Sequence, residues 1–78
     1  MQKNLKQITS FLQVVDSGSF TKAAEILELS RSMVSIDVKQ LEKSLNVSLL
    51  VRNTRNIALT EVGKYFYDDF KYYFILYP

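Results

Sequence analysis

Leu29-Ser30-Arg31-Ser32-Met33-Val34-Ser35-Ile36-Asp37-Val38-Lys39-Gln40-Leu41-Glu42-Lys43-Ser44-Leu45 is the stretch that decides the fold. Val34, Val38, Leu41 and Leu45 recur at spacings of four, three and four. That spacing lines one side of an α-helix with apolar groups. Arg31, Ser32, Ser35 and Lys39 fall on other sides, mostly toward the N-terminal end. Ser30 is a good N-cap, because its hydroxyl can accept from a first-turn N–H that no carbonyl reaches. The segment therefore has one face to pack and another made of short polar and cationic side chains.

Upstream, Ser19 can cap a short helix, Phe20–Leu27. Phe20, Ala23, Ala24 and Leu27 form its buried side, and the two adjacent alanines allow close approach to a neighbouring helix. Before that, Leu5, Ile8, Phe11, Leu12 and Val15 repeat at spacings of three, three, one and three, which is an amphipathic helix. It should stop at Ser17-Gly18, where glycine takes the left-handed conformation that ends helices. A short helix, a turn of a few residues and a longer helix make a helix-turn-helix. In that arrangement the second helix enters the major groove of DNA. The segment from Ser30 to Leu45 is thus expected to be a DNA recognition helix.

Downstream, Asn46 can replace glycine at the left-handed cap. Ser48–Val51 and Ile57–Leu59 are short apolar runs around the polar turn Arg52-Asn53-Thr54-Arg55-Asn56, which suggests a β-hairpin, or wing. The turn lacks glycine, so its tip should be long and loose. Thr60 caps again, and Glu61 suits the positive end of the next helix. That helix should run to about residue 76 despite Gly63, with Lys64 and Asp68 spaced to pair across a turn. The segment carries Tyr65, Phe66, Tyr67, Phe70, Tyr72, Tyr73, Phe74 and Tyr77. One helix on so small a domain cannot bury them all, so a homodimer is expected, with Tyr65, Phe66, Phe70, Tyr73 and Phe74 at its interface. Stacking on single-stranded bases is the rival use of such a stripe. The slightly negative local charge argues against it.

The chain has 78 residues, 47% of them hydrophobic, which is one small domain. It has no Cys and no His. That removes disulfides, thiolate nucleophiles, the commonest zinc ligand and the commonest general base. No catalytic constellation forms, and no cofactor, metal or small-molecule site is expected. The net charge of +2 is unevenly spread. Residues 31–56 hold Arg31, Lys39, Lys43, Arg52 and Arg55 against Asp37 and Glu42, an excess of three positive charges. The stretch before balances to zero and the stretch after is −1. This is a local footprint for a polyanion. Lys3, Asn4, Lys6 and Gln7 interrupt any signal-peptide core, and no apolar run could span a bilayer. No membrane association is expected, and a cytoplasmic, nucleoid-associated location is.

The pattern Phe11, Gly18-Ser19-Phe20-Thr21-Lys22-Ala23-Ala24, Leu29-Ser30, Val34-Ser35, Val38, Leu41-Glu42, Leu45, Val47, Leu49, Arg52, Leu59-Thr60-Glu61 and Gly63 resembles the N-terminal DNA-binding domain of bacterial LysR-type transcriptional regulators. The likeness covers roughly residues 5–65. It implies a mainly α fold: a winged helix-turn-helix over residues 1–60, with a three-helix core and a short β-hairpin wing, then a linker helix over 61–78 that dimerises. It also implies binding to double-stranded promoter DNA. The family carries a larger C-terminal domain that binds a co-inducer. This chain ends where that effector domain would begin, so the domain is expected to be absent, leaving a truncated product, a fragment or a stand-alone module.

Three positions depart from the family pattern. Arg31 stands where Gln is frequent, which favours guanine or phosphate over adenine. Ile36 stands where a basic residue is frequent, which removes an expected DNA contact. Asp37 beside it would be repelled by phosphate and should turn away, toward a cation. Leu50 in place of Phe is a packing change.

The resemblance also favours DNA roles over a plain solvated helix face. Arg31, Ser32 and Ser35 would meet base edges and phosphates, and Lys39 a phosphate. Thr21 and Lys22 begin the helix that crosses the backbone, where free N–H groups favour phosphate. Arg55 at the wing tip would enter the minor groove. Arg52 would either touch DNA or pair with an acidic residue of the domain. Ser19 and Ser30 are caps rather than contacts. The alternative function is a winged-helix protein-interaction module that uses the aromatic C-terminal helix.

Overall fold

Short-range chemistry sets the helix ends. In a computed structural model, which describes residues 2–52 and 57–76 and side chains within 5–52 and 57–75, the order is α1 (Gln2–Ser17), α2 (Phe20–Leu27), α3 (Arg31–Leu45), β1 (Leu50–Val51), β2 (Ala58–Leu59) and α4 (Glu61–Leu76). Gly18, at φ +73°, closes α1 by donating its N–H to the Val14 carbonyl at 2.9 Å. Ser19 accepts from the Lys22 N–H, and Ser30 from the Met33 N–H, each at 3.1 Å. Asn46 is left-handed at φ 57°. Glu28 is also left-handed, at φ 58°. As neither Gly nor Asn, it gives no sequence signal for that conformation, and it closes the turn Glu28-Leu29-Ser30 at some cost in backbone strain. β1 and β2 pair antiparallel, Leu50 with Leu59 and Val51 with Ala58. The expected winged helix-turn-helix is therefore present, with a hairpin of minimal length. The turn at Asn53–Asn56, including Arg55, lies outside the described residues.

The core joins Phe11 and Val14 of α1, Ala23 and Ala24 of α2, Val34, Val38 and Leu41 of α3, and Leu49 and Leu50 at the first strand. The apolar stripe expected on α1 needs correction. Leu5 is 44% exposed, whereas Val14, outside the stripe, is fully buried. α1 is turned so that polar Gln7 and Ser10 also face inward. The Ser10 hydroxyl donates to Asp37 Oδ2 at 2.7 Å, and Gln7 Nε2 donates to Gln40 Oε1 at 3.2 Å. The buried Ser10–Asp37 pair favours this facing of α1, because a buried polar group without a partner is costly. Gln7 Oε1 is itself buried with no hydrogen-bond partner among the described residues. Asp37 does turn inward, as expected of an acid near phosphates. Its partner is a hydroxyl, not a cation.

α4 is fixed at both ends of its packed face. At its start, the Thr60 N–H donates to the Leu49 carbonyl at 3.0 Å and the Thr60 hydroxyl to the Ser48 carbonyl at 2.6 Å. The same hydroxyl accepts from the Gly63 N–H at 2.8 Å. Further along, Phe66, Tyr67, Phe70 and Phe74 pack half-buried against the core, and Phe70 meets Phe11 edge-on with centroids 6.2 Å apart. Lys71 Nζ donates to Asp16 Oδ2 at 2.7 Å, and the Tyr67 hydroxyl donates to Asp16 Oδ1. Among the described residues the expected Lys64–Asp68 pair is not formed; the ion pairs are Lys71–Asp16 and Arg52–Glu42. A contact back to α1 holds α4, rather than one along its own surface.

The Asp16 cluster predicts a stability plateau with two edges. Burial pushes the Asp16 carboxyl up, but hydrogen bonds from Lys71 and Tyr67 outweigh it and hold the group below its ordinary 3.8. The hydrogen bond to Asp16 raises the Tyr67 phenol above 10.0 and the Lys71 amine above 10.5. The carboxylate's contribution is present above pH 3.8 and is lost as pH falls through the lowered value. Those of Tyr67 and Lys71 are present below about 10 and are lost as pH rises through the raised values. Thermal melts should therefore be flat in this contribution from roughly pH 5 to 9 and fall on both sides. In Asp16→Asn both edges should become shallower. An unchanged pH profile in that variant would refute the coupling.

Candidate nucleic-acid interface

With Val34, Val38 and Leu41 in the core, the 100° step of an α-helix sets Ser32, Ile36, Lys39 and Lys43 on the opposite side of α3. All four are exposed. Arg31, exposed, and Ser35, half-buried, flank this face, and Thr21 and Lys22 are exposed on the first turn of α2. Among the described residues, Lys22, Lys39 and Lys43 take part in no ion pair. Their charge is therefore open to an anion.

The Phe20 ring gathers two guanidinium groups: Arg31 lies 5.7 Å and Arg52 5.9 Å from its centroid. The start of α2, the start of α3 and the base of the wing thus meet at one aromatic side chain. Phe20 is half-buried and serves as this platform as well as a core contact.

Glu42 joins α3 to the wing. Its Oε2 accepts from the Leu49 N–H at 2.7 Å and the Leu50 N–H at 3.3 Å, while Oε1 accepts from Arg52 Nη2 at 2.8 Å. One of the two expectations for Arg52, an acidic partner inside the domain, is met. Sequence reasoning missed this role of Glu42, which it names only as a charge and as part of the family pattern. The available signal was its place on α3, one turn before the helix end, with Arg52 in need of an acid. The five aromatics expected at a dimer interface divide. Tyr65 and Tyr73 are 67% and 51% exposed, while Phe66, Phe70 and Phe74 lie half-buried on the chain's own core. No helix among the described residues is long and apolar enough to cross a membrane.

Known proteins share this fold. Residues 5–64 match the family described as bacterial regulatory helix-turn-helix protein, lysR family. The HTH-type transcriptional regulator CrgA of Neisseria meningitidis serogroup C (strain 8013) is 49% identical over 67 residues, covering 86% of this chain and 22% of the regulator. The HTH-type transcriptional activator AaeR of Escherichia coli (strain K12) is 48% identical over 66 residues, covering 85% of the chain and 21% of the activator. The chain thus spans about a fifth of the length of these curated relatives. Among solved structures, the CbnR_DBD–DNA complex superposes with a TM-score of 0.85 at 32% identity, covering 91% of this chain and 82% of that one. The BenM_DBD/benA site 1 DNA complex gives 0.80 at 35% identity, covering 83% and 73%. Capped helices, a basic face on α3, a minimal wing and these matches place the chain in the LysR family of bacterial regulatory helix-turn-helix proteins.

Proposed function

We propose that this chain is the sequence-specific, double-stranded DNA-binding module of a transcriptional regulator and that it acts as a homodimer in the cytoplasm, at the nucleoid. The observation that carries this is the exposed face of α3, where Lys39 and Lys43 take part in no ion pair among the described residues and Arg31 and Ser32 stand at the capped N-terminus. The likeness to the DNA complexes of BenM_DBD and CbnR_DBD supports it. Thr21, Lys22 and Lys39 engage phosphates and set the register, while Arg31, Ser32 and Ser35 approach base edges in the major groove. Arg52 and Arg55 bring the wing to the flanking backbone and minor groove. For dimerisation, Val62, Tyr65, Tyr72 and Tyr73 offer an exposed apolar stripe on α4. Phe66, Phe70 and Phe74 support that stripe from beneath.

Duplexes enriched from a random-sequence library test this. Binding should weaken steeply with salt, and Lys39→Ala should reduce the slope of log affinity against log salt by about one unit. Unchanged affinity and slope in that variant would remove α3 from the phosphate backbone. A protein-interaction module working through the aromatic helix would show little salt dependence.

A further inference from the structure

One apolar side chain stands in the middle of the basic face. Ile36 is 46% exposed and lies on the side of α3 opposite Val34 and Val38, between Ser32, Lys39 and Lys43. It is neither part of the core cluster nor among the side chains packed against it. A β-branched residue is a poorer helix former at an exposed site than Lys, Arg or Gln, so neither packing nor helix propensity accounts for it. Isolated exposed hydrophobes are ordinary on protein surfaces, but this one has a specific setting. Helical side chains lean toward the N-terminus, which lays Ile36 over the turn that carries Ser32. Ser32 is too short to cover it, and the N-terminal turns of a recognition helix are the ones that reach base edges.

The apolar group that base pairs present in the major groove is the thymine 5-methyl. We propose that Ile36 is a specificity-determining residue that reads a thymine methyl group in each half-site. The inference rests on the DNA-binding function above. The cations around Ile36 bring the duplex close. The aliphatic side chain, which can make no hydrogen bond, then favours the step where it meets a methyl over one where it would desolvate a polar base edge.

The test uses the full chain and the best duplex enriched from a random-sequence library, remade with deoxyuridine replacing one thymine at a time. Deoxyuridine pairs as thymine does and lacks only the methyl. The wild-type chain should bind about fourfold more weakly when the critical thymine of a half-site is replaced, as expected for one buried methyl. Ile36→Ala should bind the two duplexes alike, while Ile36→Leu should keep a preference. A duplex bound selectively but indifferent to every replacement, or discrimination that persists in Ile36→Ala, would overturn the proposal and leave DNA binding standing. Failure to enrich any duplex would overturn both.

Discussion

Gly63→Ala should destabilise the domain by about 3 kcal/mol, although alanine is the better helix former by about 1 kcal/mol. The reason is the close approach of α4 to the first strand. A Cβ on Gly63 would land on the Leu49 carbonyl oxygen, and would lie 2.9 Å from its carbon and 3.1 Å from its Cα. These are backbone atoms, so no side chain can swing aside. The carbonyl is also held by the Thr60 N–H. α4 must lift, loosening the Thr60 bonds and the contacts of Phe66 and Phe70 with the core. A domain of this size has roughly 4–12 kcal/mol of stability in all, so the loss should show as a large drop in the urea midpoint with little change in slope. Gly18→Ala is the control. Nothing lies within 4 Å of a Cβ there, but φ is +73°, so only the left-handed strain of about 1–2 kcal/mol applies. A Gly63→Ala variant as stable as the wild type would contradict the packing of α4 described above.

Glu42→Ala should cost about 2–4 kcal/mol, because it leaves the Leu49 and Leu50 N–H groups without an acceptor. Leu49 is fully buried and Leu50 is 5% exposed, so water offers them little relief. Arg52 loses its 2.8 Å partner at the same time. Glu42→Gln keeps one acceptor oxygen and should lose less. Urea unfolding gives the stability, and hydrogen exchange at the Leu49 and Leu50 amides gives the local effect, which should exceed that at α2 amides. Uniform loss of protection, or none, would show that Glu42 does not anchor the strand.

What could be read from the chain alone follows from range. Ser19, Ser30, Asn46 and Thr60 act within three or four residues, and each caps the helix its position suggests. The stripe on α3 is likewise local, and its buried side is the expected one. What was not legible depends on partners far along the chain. Ser10 finds Asp37 across 27 residues, and Lys71 finds Asp16 across 55. The first accompanies an α1 turned toward Val14 and away from Leu5, and the second ties α4 back to α1. Periodicity foresees neither, because it scores apolar residues alone. The aromatic helix shows the same limit. Composition says that its rings are too many for one face. Only packing separates Phe66, Phe70 and Phe74 on the core from Tyr65 and Tyr73 at the surface. At the candidate interface, the cations and serines of α3 are visible as a pattern, while Phe20 gains its role from Arg31 and Arg52, and Glu42 from the first strand and Arg52, contacts that only the folded chain creates.

The outer face of α3 is the element proposed to meet DNA. The most direct measurement of this is a nuclear magnetic resonance titration of the isotope-labelled chain with an enriched duplex. The largest amide shifts should fall at Thr21, Lys22, Arg31, Ser32, Ser35, Ile36 and Lys39, with smaller ones at the base of the wing. Shifts confined to the exposed side of α4, with α3 unmoved, would contradict it.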